Sequence, residues 1–85
     1  MTVTAEPTPN PNALKFTVGQ DVGGPKTYVA AGDIDDPAAR ALLDIEGVTS
    51  VFMTADFVTI SKTADSDWAV ITPQATQILT DQYEV

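Results

Sequence analysis

The chain of 85 residues contains no cysteine and no histidine, and its four basic residues face twelve acidic ones, for a formal charge of −8. Each shortage excludes a class of chemistry. Without cysteine there is no disulfide, no thiolate nucleophile, no redox dithiol and no thiolate-held cluster. Without histidine there is no imidazole base and no usual zinc or haem site. Lys15, Lys26, Arg40 and Lys62 are too few for a nucleic-acid binder, whose affinity comes from neutralising phosphates. No apolar run approaches the ~20 residues of a membrane span. The opening MTVTAEPTPN has neither the basic nor the apolar region of a signal peptide. The expectation is one cytoplasmic domain over residues 1–85, with no nucleic-acid and no membrane partner.

What is present is enough for one small core. Hydrophobic residues make up 44% of the chain, an ordinary globular share and too high for disorder. Pro7, Pro9 and Pro11 alternate with Thr8, Asn10 and Asn12, so residues 1–12 read as an extended arm of turns, with 1–9 as its flexible or extended part. Asn10 and Asn12 can bond their own backbone in Asx turns.

Leu14, Phe16 and Val18 alternate with Lys15 and Thr17, the pattern of a half-buried strand. GQDVGGPK (19–26) is loop chemistry, and Thr27–Ala31 is a weaker second strand antiparallel to the first. Asp36 and Pro37 are a helix N-cap and first helical residue. Ala38, Ala41, Leu42 and Ile45 then form one apolar stripe, and Gly47 is a helix stop.

Val48–Met53 and Phe57–Lys62 read as a hairpin around Thr54-Ala55-Asp56. Val58 and Ile60 face one way on its second strand, and Phe57, Thr59 and Ser61 the other. Asp65 and Asp67 open a last helix carrying Trp68, Ile71, Ala75, Ile78 and Leu79. Pro73 must lie in that helix's first turn and a half, or the helix restarts with Thr72 as its cap. The tail Tyr83-Glu84-Val85 is expected to fray.

The order β-β-α-β-β-α predicts an α+β two-layer sandwich: a mostly antiparallel four-stranded sheet with two helices on one face.

Few residues can carry chemistry. Asp33, Asp35 and Asp36 lack the glycine and distant glutamate of an EF-hand, so they read as solvated acids and a helix cap. Asp44 and Glu46 project to different sides of a helix end and do not converge as an acid–base pair would. Ser50, Ser61 and Ser66 have no histidine to activate them. The periodicity places Trp68 in the core, although a lone tryptophan also fits a partner anchor. Phe52 and Phe57 flank the hairpin tip, and both cannot easily face one helix layer, so one of them is left outside.

Three segments resemble a known family. Thr8-Pro9-Asn10-Pro11-Asn12-Ala13-Leu14-Lys15-Phe16 resembles the opening signature of the N-terminal domain of the Nfu-type (NifU-like) iron–sulfur scaffold proteins. Ile45-Glu46-Gly47-Val48 with Val51-Phe52 resembles the family's central run. Asp56-Phe57-Val58-Thr59-Ile60-Ser61-Lys62, with Asp67-Trp68 and Pro73, resembles its closing segment. The resemblance implies the same α+β fold, and in two-domain members this domain precedes a separate C-x-x-C domain that holds a bridging cluster.

This chain has no thiolate to hold such a cluster, so none is expected on it alone, and a cluster is reached only through a partner. What the resemblance implies is an accessory role, docking a C-x-x-C cluster carrier or an apo iron–sulfur protein; a monomer is expected, and with no activated nucleophile or base no enzyme is expected. The motif residues that the core pattern does not require are Asn10, Asn12, Lys15, Phe52, Asp56 and Phe57, and these are the expected partner-binding residues. The motifs also have a purely structural reading, as signatures of the fold. Two other functions compete: a peptide-binding module using an exposed sheet edge, and weak iron binding by carboxylates.

Overall fold

In a computed structural model, described over residues 3–30 and 32–83, the chain forms one antiparallel sheet covered on one face by two helices. The elements are β1 (Thr4–Pro7), β2 (Ala13–Thr17), β3 (Gly23–Val29), α1 (Pro37–Leu43), β4 (Val48–Ala55), β5 (Phe57–Lys62) and α2 (Trp68–Tyr83). The sheet has five strands in the order β1-β2-β5-β4-β3, where the sequence pattern predicts four. No helix among the described residues is long and apolar enough to cross a membrane.

The additional strand is β1, inside the expected arm. Its residues Thr4, Ala5, Glu6 and Pro7 are all exposed, so no hydrophobic alternation marks it. Pairing with β2 makes it a strand, with Thr4 opposite Thr17 and Pro7 opposite Leu14. An edge strand is where a residue lacking an N–H is tolerated.

A second correction concerns β3. It runs opposite to β2, as the pattern predicts, but β5 and β4 lie between them, and β3 pairs with β4. The connection from β2 to β3 straddles the tip of the β4–β5 hairpin. The N–H groups of Val18 and Val22 donate to the carbonyls of Asp56 and Ala55, each at 2.8 Å. The strand also begins earlier than expected, at Gly23; Ala31, its expected end, lies outside the described residues.

The helices follow their local signals with two shifts. The Asp36 carboxylate accepts from the N–H groups of Ala38 (2.9 Å) and Ala39 (3.2 Å), and Pro37 opens α1. Such a cap stabilises a helix by roughly 0.5–2 kcal/mol. But α1 ends at Leu43 with Asp44 as its C-cap, so Gly47 is not the helix stop. Gly47 instead has φ +95° in the turn into β4, and a Cβ there would come within 2.2 Å of the Ser66 Oγ. The buried stripe of α1 is Ala38, Ala39, Leu42 and Leu43; Ile45 is buried in the turn beyond it.

The longer helix, α2, begins at Trp68 and runs unbroken through Pro73, its sixth residue. The first of the two readings of Pro73 therefore holds. The Asp67 carboxylate accepts the Ala69 N–H at 2.9 Å. At the end expected to fray, α2 reaches Tyr83, whose carbonyl accepts a hydrogen bond from the Gln20 side chain; Glu84 and Val85 lie outside the described residues.

The core lies between the layers. Phe16, Val51, Met53, Val58 and Ile60 of β2, β4 and β5 meet Leu42 of α1 and Ile71, Ala75 and Leu79 of α2. Every one of these side chains is almost wholly buried. Burying a side chain of this size contributes about 1.5–3 kcal/mol. Among the described residues the core contains no polar or charged side chain.

Two tyrosines close the rim of this layer. Burial, the hydrogen bond to Asp35 (2.9 Å) and the charges of Asp35 and Asp36 raise the Tyr28 hydroxyl above its ordinary pKa. Tyr83 is pushed up to about 12, chiefly by burial and then by the negative charge of Asp36.

Replacing Leu42 by Ala should cost about 2–5 kcal/mol, read from the urea midpoint with Trp68 fluorescence as the probe. A loss well below that range would show that the layers do not meet at Leu42. Both tyrosines favour the folded state while neutral. Their contribution is complete below the ordinary value of 10.0 and is lost as pH rises towards and through about 12. Urea midpoints should fall over that alkaline interval, and a flat profile would contradict the assignment.

Candidate interaction surface

A two-layer fold leaves one sheet face uncovered, and the strand registers state what it carries. One row crosses all five strands: Glu6, Lys15, Thr59, Phe52 and Thr27. A second holds Thr4, Thr17, Phe57 and Thr54, and a third holds Ala13, Ser61, Ser50 and Val29. Residues paired across antiparallel strands point to the same face. The open face is therefore hydroxyl-rich, with two phenylalanines, one valine and one charge of each sign.

Phe52 is 36% exposed and Val29 48%, two of the large exposed hydrophobic residues of the described chain. Phe57 is half-buried, and the Lys15 ammonium lies over its ring, 4.5 Å from the centroid. A cation in that position on an exposed surface contributes about 0.5–1 kcal/mol. Phe52 and Phe57 are diagonal neighbours, since Phe52 is opposite Thr59 and Phe57 opposite Thr54.

Both phenylalanines thus face away from the helices, where the sequence pattern leaves only one outside. The physical reason is the two-residue turn Ala55-Asp56. It pairs Thr54 with Phe57 and Phe52 with Thr59, which fixes both rings on one side, and Met53 and Val58 take the core side. Ala55 adopts φ +51°, a conformation usually left to glycine or asparagine, and its carbonyl is held by the Val22 N–H.

The six expected binding residues divide into two groups. Lys15, Phe52 and Phe57 come together on the open face, with the exposed Asp56 at the hairpin tip beside Phe57. Asn10 and Asn12 lie at the other end of the sheet and take part in ordering the β1–β2 loop. The Asn10 side chain accepts the Asn12 N–H at 2.9 Å, an Asx turn, and Thr8 bonds the carbonyls of Asn10 and Ala13 at 2.9 Å each. The Asn12 side chain accepts from Lys62 at 3.3 Å, and the Asn12 carbonyl accepts the Lys62 N–H at 2.8 Å.

Trp68 joins this second group. It packs against the core while its indole N–H donates to the Pro11 carbonyl at 3.0 Å. Lys62 lies 5.7 Å from its ring. Sequence reasoning did not select Val29, Thr27 or Glu6. The only signal for them is the period-2 alternation carried across strands, which requires the sheet order.

The acids concentrate elsewhere. Asp33, Asp35 and Asp36 precede α1, Asp44 and Glu46 follow it, and Asp65 and Asp67 precede α2. Glu46, Asp65 and Asp67 rim a cavity of about 310 Å³ whose apolar lining is Val70 and Ile71. A side-chain hydrogen bond from Thr63, helped by a backbone bond and the charge of Lys62, holds the Asp65 carboxyl below its ordinary range despite its desolvation. Among the described residues no three acidic side chains converge as a metal site requires.

The family described as scaffold protein Nfu/NifU N terminal matches residues 3–85. A NifU-like protein of Schizosaccharomyces pombe is 38% identical over 82 residues, covering 91% of this chain and 32% of that protein. The mitochondrial NFU1 iron-sulfur cluster scaffold homolog of Drosophila erecta is 40% identical over 85 residues, covering 95% of this chain and 30% of that protein. The chain thus spans about a third of the length of these curated relatives.

Among solved structures, a NifU-like protein from Saccharomyces cerevisiae superposes with a TM-score of 0.80 at 28% identity, covering 96% of this chain and 77% of that one. The Staphylococcus aureus protein SAV1430 superposes with a TM-score of 0.77 at 27% identity, covering 92% and 98%.

The sidedness is measurable. Phe16→Ala should cost about 3–5 kcal/mol, whereas Phe57→Ala should cost no more than about 2 kcal/mol, the sum of one exposed cation–π contact and one cross-strand pair. Equal losses in urea denaturation would place Phe57 in the core.

Proposed function

This chain belongs to the Nfu/NifU N-terminal family, and on that premise we propose that it is a non-enzymatic docking module of iron–sulfur cluster assembly or delivery. Its open sheet face meets either a C-x-x-C cluster carrier or an apo iron–sulfur protein, and it works as a monomer in the cytoplasm. The observation that carries this reading is a division of labour. The chain has no cysteine or histidine to hold a cluster, and it leaves Phe52, Phe57 and Lys15 together on an uncovered face. Aromatic residues, phenylalanine among them, are enriched at protein interfaces.

The chain's own residues do not fit a resident cluster, because thiolates hold such clusters and none is present. No reaction at this surface is proposed: among the described residues the one hydroxyl–carboxylate contact on the open face is Thr17 with Glu6, a long 3.5 Å contact at the sheet edge. A second reading follows from the topology: β1 and β3 are free edges, and β3 is the longer of the two. An extended peptide could add to it.

Titrating the isotope-labelled chain with an isolated C-x-x-C carrier domain, and separately with apo iron–sulfur proteins, should move the amide signals of Lys15, Phe52, Phe57 and Thr59. Shifts confined to β3 would favour the edge reading. No shift with any of these proteins would overturn the docking role.

A further inference from the structure

The chemistry of the expected partner can be read from Lys15. Its cross-strand neighbour on β1 is Glu6, a natural ion-pair partner. The ammonium nevertheless lies over the Phe57 ring, 4.5 Å from its centre, and makes no hydrogen bond among the described residues. Glu6 instead takes the Thr17 hydroxyl, at 3.5 Å. In the open protein, water satisfies the Lys15 N–H donors. A partner that covers the Phe52–Phe57 patch removes that water, because Lys15 rests on the patch itself. A buried ammonium without an acceptor is strongly unfavourable, and the best acceptor for it is a carboxylate.

Charge on the face is balanced, one cation against one acid. Lys15 is the one cation in the three rows, and Glu6 is on the edge strand, separated from the β5–β4 aromatic pair by β2. The remaining acids of the described chain lie at the hairpin tip, in loops and in the helix layer. Packed layers are about 10 Å apart, beyond the ~8 Å screening length at physiological salt. The acids of the helix layer therefore do little to repel an anion on the sheet side, whereas Asp56 lies at the tip beside Phe57.

We propose that the open face receives a partner segment that places an apolar side chain on Phe52 and Phe57 and a neighbouring carboxylate on Lys15. This rests on the docking reading for the choice of surface and adds the chemistry of what docks there.

The test is a selection of random linear peptides, displayed on phage, against the whole chain, followed by titration of the selected peptides into the labelled protein. Enriched peptides should carry Asp or Glu close to an aromatic or branched aliphatic residue. They should shift Lys15, Phe52 and Phe57. Lys15→Gln should weaken them about tenfold, the scale of one charge-assisted hydrogen bond, and Lys15→Arg should retain most of the affinity. An unchanged amide spectrum elsewhere establishes that both variants are folded.

Basic enriched sequences, no enrichment, or affinity indifferent to Lys15→Gln would each overturn the proposal. So would concentration-dependent dimerisation through this face, which would make a second copy the occupant. Failure here is separable from failure of the docking role. A carrier domain that docks on the open face with an affinity indifferent to Lys15→Gln leaves that role intact and refutes this inference.

Discussion

The contact of Leu42, Ile71, Ala75 and Leu79 with Phe16, Val51, Met53, Val58 and Ile60 is the constraint on which the molecule depends. An 85-residue chain has material for one such layer of burial, not two. Both helices are used on the same face, and the opposite face is left to hydroxyl groups, two phenylalanines and Lys15. The uncovered face is therefore a consequence of economy in the core.

The tip of the β4–β5 hairpin is the second fixed point. Its two-residue turn puts Ala55 in a left-handed conformation and sets Phe52 and Phe57 on the same side. The chain entering β3 then ties down that turn through the N–H groups of Val18 and Val22. One set of backbone hydrogen bonds thus fixes the aromatic pair and carries β3 to the far edge. At the other end of the sheet, Asn10, Asn12, Lys62 and Trp68 hold the β1–β2 loop by side-chain bonds. Residues of one sequence motif consequently divide between a structural end, with Asn10 and Asn12, and an exposed face, with Lys15. Their proximity in sequence gave no sign of that division.

Much of the fold was legible locally. Alternation at Leu14, Phe16 and Val18, the Asp36-Pro37 cap and the limits of β5 are short-range features that the backbone obeys. β1 was not legible, because Thr4-Ala5-Glu6-Pro7 has no buried residue and is a strand only by virtue of its partner. The role of Gly47 is hidden for a related reason. A glycine after a helix fits a stop signal, but here the helix ends earlier and the glycine serves a turn packed against Ser66.

The candidate surface was legible as a list and not as a place. The motif residues that the core pattern does not require are Asn10, Asn12, Lys15, Phe52, Asp56 and Phe57, and the chain has no thiolate or imidazole to hold a cluster. These depend on residue identity alone, so the sequence determines them. That both rings share one face, that Lys15 lies on one of them, and that Asn10 and Asn12 are at the far end depend on strand order and register. Those are set by which strands pair over tens of residues of intervening chain, and only the tertiary structure decides that pairing.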